Sequence, residues 1–228
     1  MKILAIDCAT TACSVAVWAD GVLRAVERAD LVRGQAEALM PMVERVRAQS
    51  GLAFAALDRL AVTVGPGHFT GLRAGLAAAR GLALATGLPL IGITTLEAVA
   101  AGVPAVEREG AALVVALDSK RQEAYVQAYA SDLTPLSEPL ARRPAEYAAE
   151  LARVPGSRFV VAGDASGQLV AALEQRGAIV LRSSAAPRPD AAVVAALAAT
   201  ASLPSAAPAP LYIHPVETTS PRPRAVRG

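Results

Sequence analysis

Apolar positions recur along the chain in two different periods. Ile3 to Ile6 form a short apolar run that ends at Asp7, and a second run follows from Cys13 to Trp18. Their length and alternation predict two strands, and the more polar stretch Gly21 to Ala29 predicts a third. From Ala36 to Gln49 the period changes: Leu39, Met42 or Val43, and Val46 fall on one side of a helix. Arg59 to Val64 is a continuous apolar run suited to a strand covered on both faces. A helix over Thr70 to Ala85 and a strand over Pro89 to Ile93 complete a unit of order β-β-β-α-β-α-β.

The same unit is written twice. Ala5-Ile6-Asp7 aligns without a gap on Ala116-Leu117-Asp118, and each aspartate is followed eight residues later by a valine, Val15 and Val126, inside an apolar run. In the second copy the strands are expected at Ala124 to Tyr129, Leu136 to Arg142, Arg158 to Gly163 and Ala178 to Leu181, with helices at Ala145 to Arg153 and Gln168 to Gln175. This is the order of a ribonuclease-H-like unit. Two in tandem are expected to give an α/β protein with the architecture of actin, hexokinase and the heat-shock ATPases (ASKHA), where nucleotide lies between lobes. A charged cluster with Pro104 places the hinge near Gly102 to Gly110. The expected divisions are therefore 1–104 for the first lobe, 105–203 for the second, and 204–228 for a C-terminal segment.

Composition narrows the function more than the fold. Of 228 residues 53 are alanine, so the 54% apolar fraction reflects small residues and reads first as genome composition. A net charge of +2 supplies no basic stripe able to hold nucleic acid unaided, so any RNA contact is expected to need a partner. Only four apolar residues separate Lys2 from Asp7, a pattern of a first strand rather than a secretory signal, and cytoplasmic residence is expected. Residues 191–216 carry no charge, but their prolines and alanines argue against a membrane helix. Cys8 and Cys13, the two cysteines of the chain, are too few and too close together for a disulfide framework or a zinc site and read as small core residues.

Several segments could carry chemistry. Gly65-Pro-Gly-His-Phe-Thr-Gly-Leu-Arg-Ala-Gly75 leaves a strand and enters a helix, a context in which backbone amides can approach an anion. It lacks the lysine of a Walker loop and the spacing of a dinucleotide fingerprint. Its glycines, with Ala78 and Ala79, equally make a small-residue face for close approach of another backbone, from this chain or another subunit. Asp7, Thr10 and Thr11 stand where phosphotransferases of this architecture place a metal-linked carboxylate and hydroxyls, although Cys8 and Ala9 replace the usual glycine, and ATP or ADP contact there is a degenerate possibility. Asp118 heads the matching turn, with Lys120 and Arg121 either facing an anion or simply solvated. His68 and His214 offer neither a His-x-x-x-His metal pair nor a nucleophile elbow, so no catalytic residue and no metal site is assigned. The helix carrying Met40, Pro41 and Met42 could pack on a partner or on the core, and the Arg/Pro tail from Pro221 to Arg227 reads as a solvated end.

Four motifs carry a resemblance to the TsaB (YeaZ) family: the opening Ile-Leu-Ala-Ile-Asp with Thr10 and Cys13-Ser-Val-Ala-Val; the glycine segment 65–75 followed by Ala-Arg-Gly-Leu-Ala; Ala116-Leu-Asp-Ser-Lys-Arg-Gln-Glu-Ala-Tyr125; and Pro210-Leu-Tyr-Ile. The resemblance implies a noncatalytic subunit of the bacterial machinery that makes N6-threonylcarbamoyladenosine at position 37 of tRNAs reading codons that begin with A. It implies pairing with the catalytic relative TsaD, a further partner in the ATPase TsaE, homodimers when TsaD is absent, tRNA contact only through the complex, and no required cofactor. The pairing surface it implies is the first-lobe helices, for which Leu39, Met42, Phe69, Thr70, Gly71, Arg73, Gly75 and Arg80 are the candidate contacts. Gln35-Ala36, His68 and Ile213-His214 depart from the family's usual residues. Two rivals are an ASKHA-fold ATPase or small-molecule kinase, motivated by Asp7 and Asp118, and a metal-dependent peptidase, for which ligands are too few.

Overall fold

The computed structural model describes residues 1–31, 33–153 and 156–214, so the expectation for the Arg/Pro tail lies outside the described residues. The first lobe runs β1 (Lys2–Asp7), β2 (Ala12–Ala19), β3 (Val22–Asp30), α1 (Gln35–Ser50), β4 (Arg59–Thr63), α2 (Phe69–Thr86) and β5 (Leu90–Ile93). Two helices link the lobes, α3 (Thr95–Gly102) and the single turn α4 (Ala105–Arg108). The second lobe repeats the order with β6 (Ala112–Asp118), β7 (Ala124–Tyr129), β8 (Leu140–Arg142), α5 (Pro144–Leu151), β9 (Arg158–Ala162), α6 (Ser166–Glu174) and β10 (Ile179–Arg182), and α7 (Ala191–Thr200) follows. The predicted elements therefore form, with boundaries moved by a few residues.

Each lobe holds one five-stranded sheet, ordered β3-β2-β1-β4-β5 and β8-β7-β6-β9-β10. In both, the central strand pairs antiparallel with the second strand and parallel with the fourth. The two orders are the same, so Asp7 and Asp118 end equivalent central strands, as the repeat predicted. An α/β chain with two such sheets has the tandem ribonuclease-H-like, ASKHA-type fold.

Strand alternation decides what covers each face. Leu4 and Ile6 of β1 join Val15, Val17, Leu60 and Val62 beneath α1 and α2, while Ile3 and Ala5 join Ala16, Ala61, Ile91 and Ile93 on the opposite face. That opposite face is covered by α7, whose Ala191, Val194, Ala195 and Ala198 recur at helical spacing and are fully buried. In the second sheet Val114, Ala116 and Val161 pack under Tyr147, Ala148, Leu169 and Leu173 of α5 and α6. The other face, with Leu113, Val115 and Val160, is covered by Leu96 and Val99 of α3 and by Val103 just after it.

The packing does not follow the sequence divisions. Helix α3, which the sequence pattern did not predict and which falls inside the division 1–104, covers the second sheet, and α7, also not predicted and inside 105–203, covers the first. Each lobe thus completes its core with a helix from beyond the other's strands, and a cut at 104 would expose both inner faces.

Candidate functional site

The glycine segment leaves β4 and enters α2, and its backbone lies directly on the turn after β1. A β-carbon at Gly67 would stand 2.1 Å from the Ala9 carbonyl oxygen, and one at Gly71 would stand 2.1 Å from that of Cys8. Gly75 faces the Cys8 side chain at 3.4 Å. The His68 amide, a donor that an anion at this helix terminus would need, donates instead to the Ala9 carbonyl at 2.7 Å. The small-residue face of α2 therefore seats on its own chain. Gly71 and Gly75 are buried there, which corrects their assignment as partner contacts.

Asp7 ties this turn together from below. Its Oδ1 accepts from the Thr63 hydroxyl at 2.7 Å and from the Ala9 amide at 3.1 Å, whereas the buried Oδ2 has no hydrogen-bond partner. Burial pushes its carboxyl up to about 7, against the lowering effect of those two donors. Thr10 is buried, with its hydroxyl accepting from the Ala12 amide, and Thr11 is half-buried. Cys8 and Cys13 are core residues as expected, but the structure joins them as a disulfide, which corrects the expectation that they lie too close together for one. A nucleotide phosphate does not fit here: the carboxylate that would hold its metal is sealed, and α2 covers the backbone of the turn. At the equivalent turn, Lys120 Nζ pairs with Asp118 Oδ2 at 2.6 Å, and the Asp118 amide donates to Asp164. Among the described residues, no three His, Cys, Asp or Glu side chains gather where they could hold a metal ion.

Helices α1 and α2 lie side by side over the first sheet, and their outer sides form the other candidate surface. Leu39 and Met42 are each only 1% exposed and point into the core, so they are corrected from contact residues to packing residues. Phe69, Thr70, Arg73 and Arg80 are exposed on the outer side of α2. Leu84, 88% exposed, extends the same stripe one turn further, and Met40 stands outward on α1. Sequence reasoning missed Leu84 because leucine also lines the buried side of α2, at Leu72 and Leu76. The signal available was the spacing 70, 73, 77, 80, 84, which marks one side of a helix.

The surface is partly organised by distant residues. The Arg73 guanidinium lies 3.6 Å from the Phe69 ring centroid, and its Nε donates to the Tyr212 hydroxyl at 3.2 Å. Arg80 donates to the Pro208 carbonyl. On α1, Arg45 forms a two-point ion pair with Glu27 of β3, which lowers the Glu27 carboxyl below its usual range through that hydrogen bond. An open recess of about 360 Å³ lies between the N-termini of α1 and α2, and Gln35 and His68 both line it. Two of the three departures from the family pattern therefore meet in one place.

The family model described as "TsaD: tRNA N6-adenosine threonylcarbamoyltransferase" matches residues 30–200. The chain is 42% identical over 134 residues to a tRNA threonylcarbamoyladenosine biosynthesis protein TsaB of Escherichia coli, an alignment covering 58% of this chain and 56% of that protein. It is 35% identical over 125 residues to the TsaB of Haemophilus influenzae, covering 55% and 52%. The chain thus spans about half the length of the curated relatives it matches. A Pseudomonas aeruginosa structure described as similar to peptidase YEAZ superposes with a TM-score of 0.75 at 26% identity, covering 93% of this chain and 99% of that one. No helix among the described residues is long and apolar enough to cross a membrane. By sequence, fold and the order of its motifs, the chain belongs to the family that the TsaD model describes, and within it is similar to the TsaB (YeaZ) proteins.

Proposed function

We propose that this protein is a TsaB-type, noncatalytic subunit in the biosynthesis of threonylcarbamoyladenosine in tRNA. In this reading it pairs through the outer sides of α1 and α2 with a TsaD-type transferase, TsaE joins the pair, and tRNA is reached only through the complex. The same face makes homodimers when the transferase is absent, and no cofactor is required of this chain.

The observation that carries the reading is the contrast between two surfaces that begin at one loop. The turn after β1, where a phosphotransferase of this fold would work, is sealed by Gly67 and Gly71. The other side of the same helix presents Phe69, Arg73, Arg80 and Leu84, an arginine and aromatic composition common at the centres of protein interfaces. A kinase or ATPase reading has no comparable support, since Asp7 is wholly buried.

Light scattering of the purified protein, alone and mixed with its cognate TsaD, tests this. A heterodimer that is weakened by Arg80→Glu and by Leu84→Glu, with both variants still folded, is the expected result. No complex with the unaltered protein overturns the pairing reading, and saturable ATP turnover by the lone chain overturns its noncatalytic role.

A further inference from the structure

The segment after α7 touches both lobes within seven residues. Pro208 packs against Gly92, where a β-carbon would stand 2.8 Å from the proline ring, and its carbonyl accepts from Arg80. The Leu211 amide donates to the Val64 carbonyl at 2.7 Å, and the Leu211 carbonyl leaves no room for a β-carbon at Gly65. Two glycines of the first lobe are thus seats for this segment. Tyr212 then reaches the outer side of α2, its ring centroid 5.6 Å from that of Phe69 and its hydroxyl on Arg73. The next two residues belong to the second lobe: Ile213 packs against the core formed by Leu113, Val115 and Tyr125, and the His214 ring lies 5.5 Å from Tyr125 of β7.

We propose that residues 208–214 are a strap that couples the outer face of α2 to the second lobe, through Tyr212 on Phe69 and Arg73 and through His214 on Tyr125. The proposal rests on the reading of that face as the pairing surface. A partner that buries Phe69 and Arg73 holds them in the orientation Tyr212 already favours, so it tightens the strap. Because Tyr212 and His214 are two residues apart, at most about 7 Å along the chain, tightening at one end restrains the other. Binding on α2 and opening of β7 are then linked, and linkage is reciprocal. Tyr212 acts as a positioning residue.

Hydrogen exchange of the full-length chain, with and without its cognate TsaD, tests the coupling. In the unaltered protein the partner is expected to slow exchange of the β7 amides. In Tyr212→Ala the partner is expected to bind about fivefold or more weakly and to leave β7 exchange unchanged, while Tyr212→Phe, which keeps the ring, behaves nearly as the unaltered protein. Slowing that persists in Tyr212→Ala, or binding by the unaltered protein without slowing of β7, overturns the strap. If the unaltered protein binds no partner, the pairing reading fails and the strap is judged on the lone chain. There Phe69→Ala must speed β7 exchange in the unaltered background and not in Tyr212→Ala, and any other pattern overturns it.

Discussion

Gly71 lies so close to Cys8 that a β-carbon at position 71 would stand 2.1 Å from the Cys8 carbonyl oxygen. The obstacle is backbone, which cannot swing aside as a side chain would. Gly71→Ala is expected to lower stability by at least about 2 kcal/mol, in the range of overpacked cores. Gly81, on the same helix with nothing within 4 Å of its would-be β-carbon, is the control. Gly81→Ala is expected to stabilise by about 0.5–1 kcal/mol, because alanine is the better helix former. Urea unfolding of both variants checks the pair, and equal effects would remove the close-approach argument.

Asp7 makes stability depend on pH in a direction opposite to most carboxylates. Its folded value of about 7 lies above the ordinary 3.8, so the folded protein keeps a proton that the unfolded chain releases. The stabilisation from that proton is complete below about pH 4, declines as pH rises, and is gone above about pH 7. Other carboxylates such as Glu27 and Asp132 are lowered and contribute in the opposite sense, so the effect is read as a difference between proteins. The stability of the unaltered protein minus that of Asp7→Asn is expected to fall by up to about 4 kcal/mol from pH 4 to pH 7. A flat difference across that window would show that Asp7 is ionised in the folded state.

The two sides of the outer helices should separate cleanly in a mutational series. Leu39→Ala and Met42→Ala remove side chains from the core and are expected to lower stability by about 2–5 kcal/mol. Leu84→Ser removes an exposed side chain and is expected to change stability by less than about 0.5 kcal/mol, while weakening association with the transferase. Thermal melts and a titration on the same preparations distinguish these outcomes, and Leu84→Ser without effect on association would move the interface off this stripe.

Helix α7 closes the first lobe from a position almost a hundred residues beyond its last strand. Its start is capped by Asp190, whose carboxylate accepts from the Ala192 amide at 2.8 Å and pairs with Arg28 of β3. Asp190→Ala is expected to lower stability by about 1 kcal/mol. A fragment of residues 1–104 lacks α7 and leaves the Ile3, Ala5, Ile91 and Ile93 face without its cover, so it is expected to show no cooperative melt by circular dichroism. A cooperative melt of that fragment would restore 104 as a true domain boundary.

Local periodicity, by itself, determined the order of elements in both lobes and the equivalence of Asp7 and Asp118, because alternation and helical spacing are properties of neighbouring residues. It also located the glycine segment, since glycines at 65, 67, 71 and 75 mark backbone contact whatever the partner. Tertiary structure alone decided what that contact is. A small-residue face looks the same in sequence whether it meets its own chain or another subunit, and the fold settles it on Cys8 and Ala9. The assignment of Leu39 and Met42 to a partner failed for the same reason, as a helix with apolar residues on its inner side and at its shoulder does not say which side faces the sheet. The exchange of α3 and α7 between lobes, and the reach of Tyr212 to Arg73 across 139 positions, were beyond any local pattern. They follow from each sheet needing cover on two faces, which its own lobe's helices supply on only one.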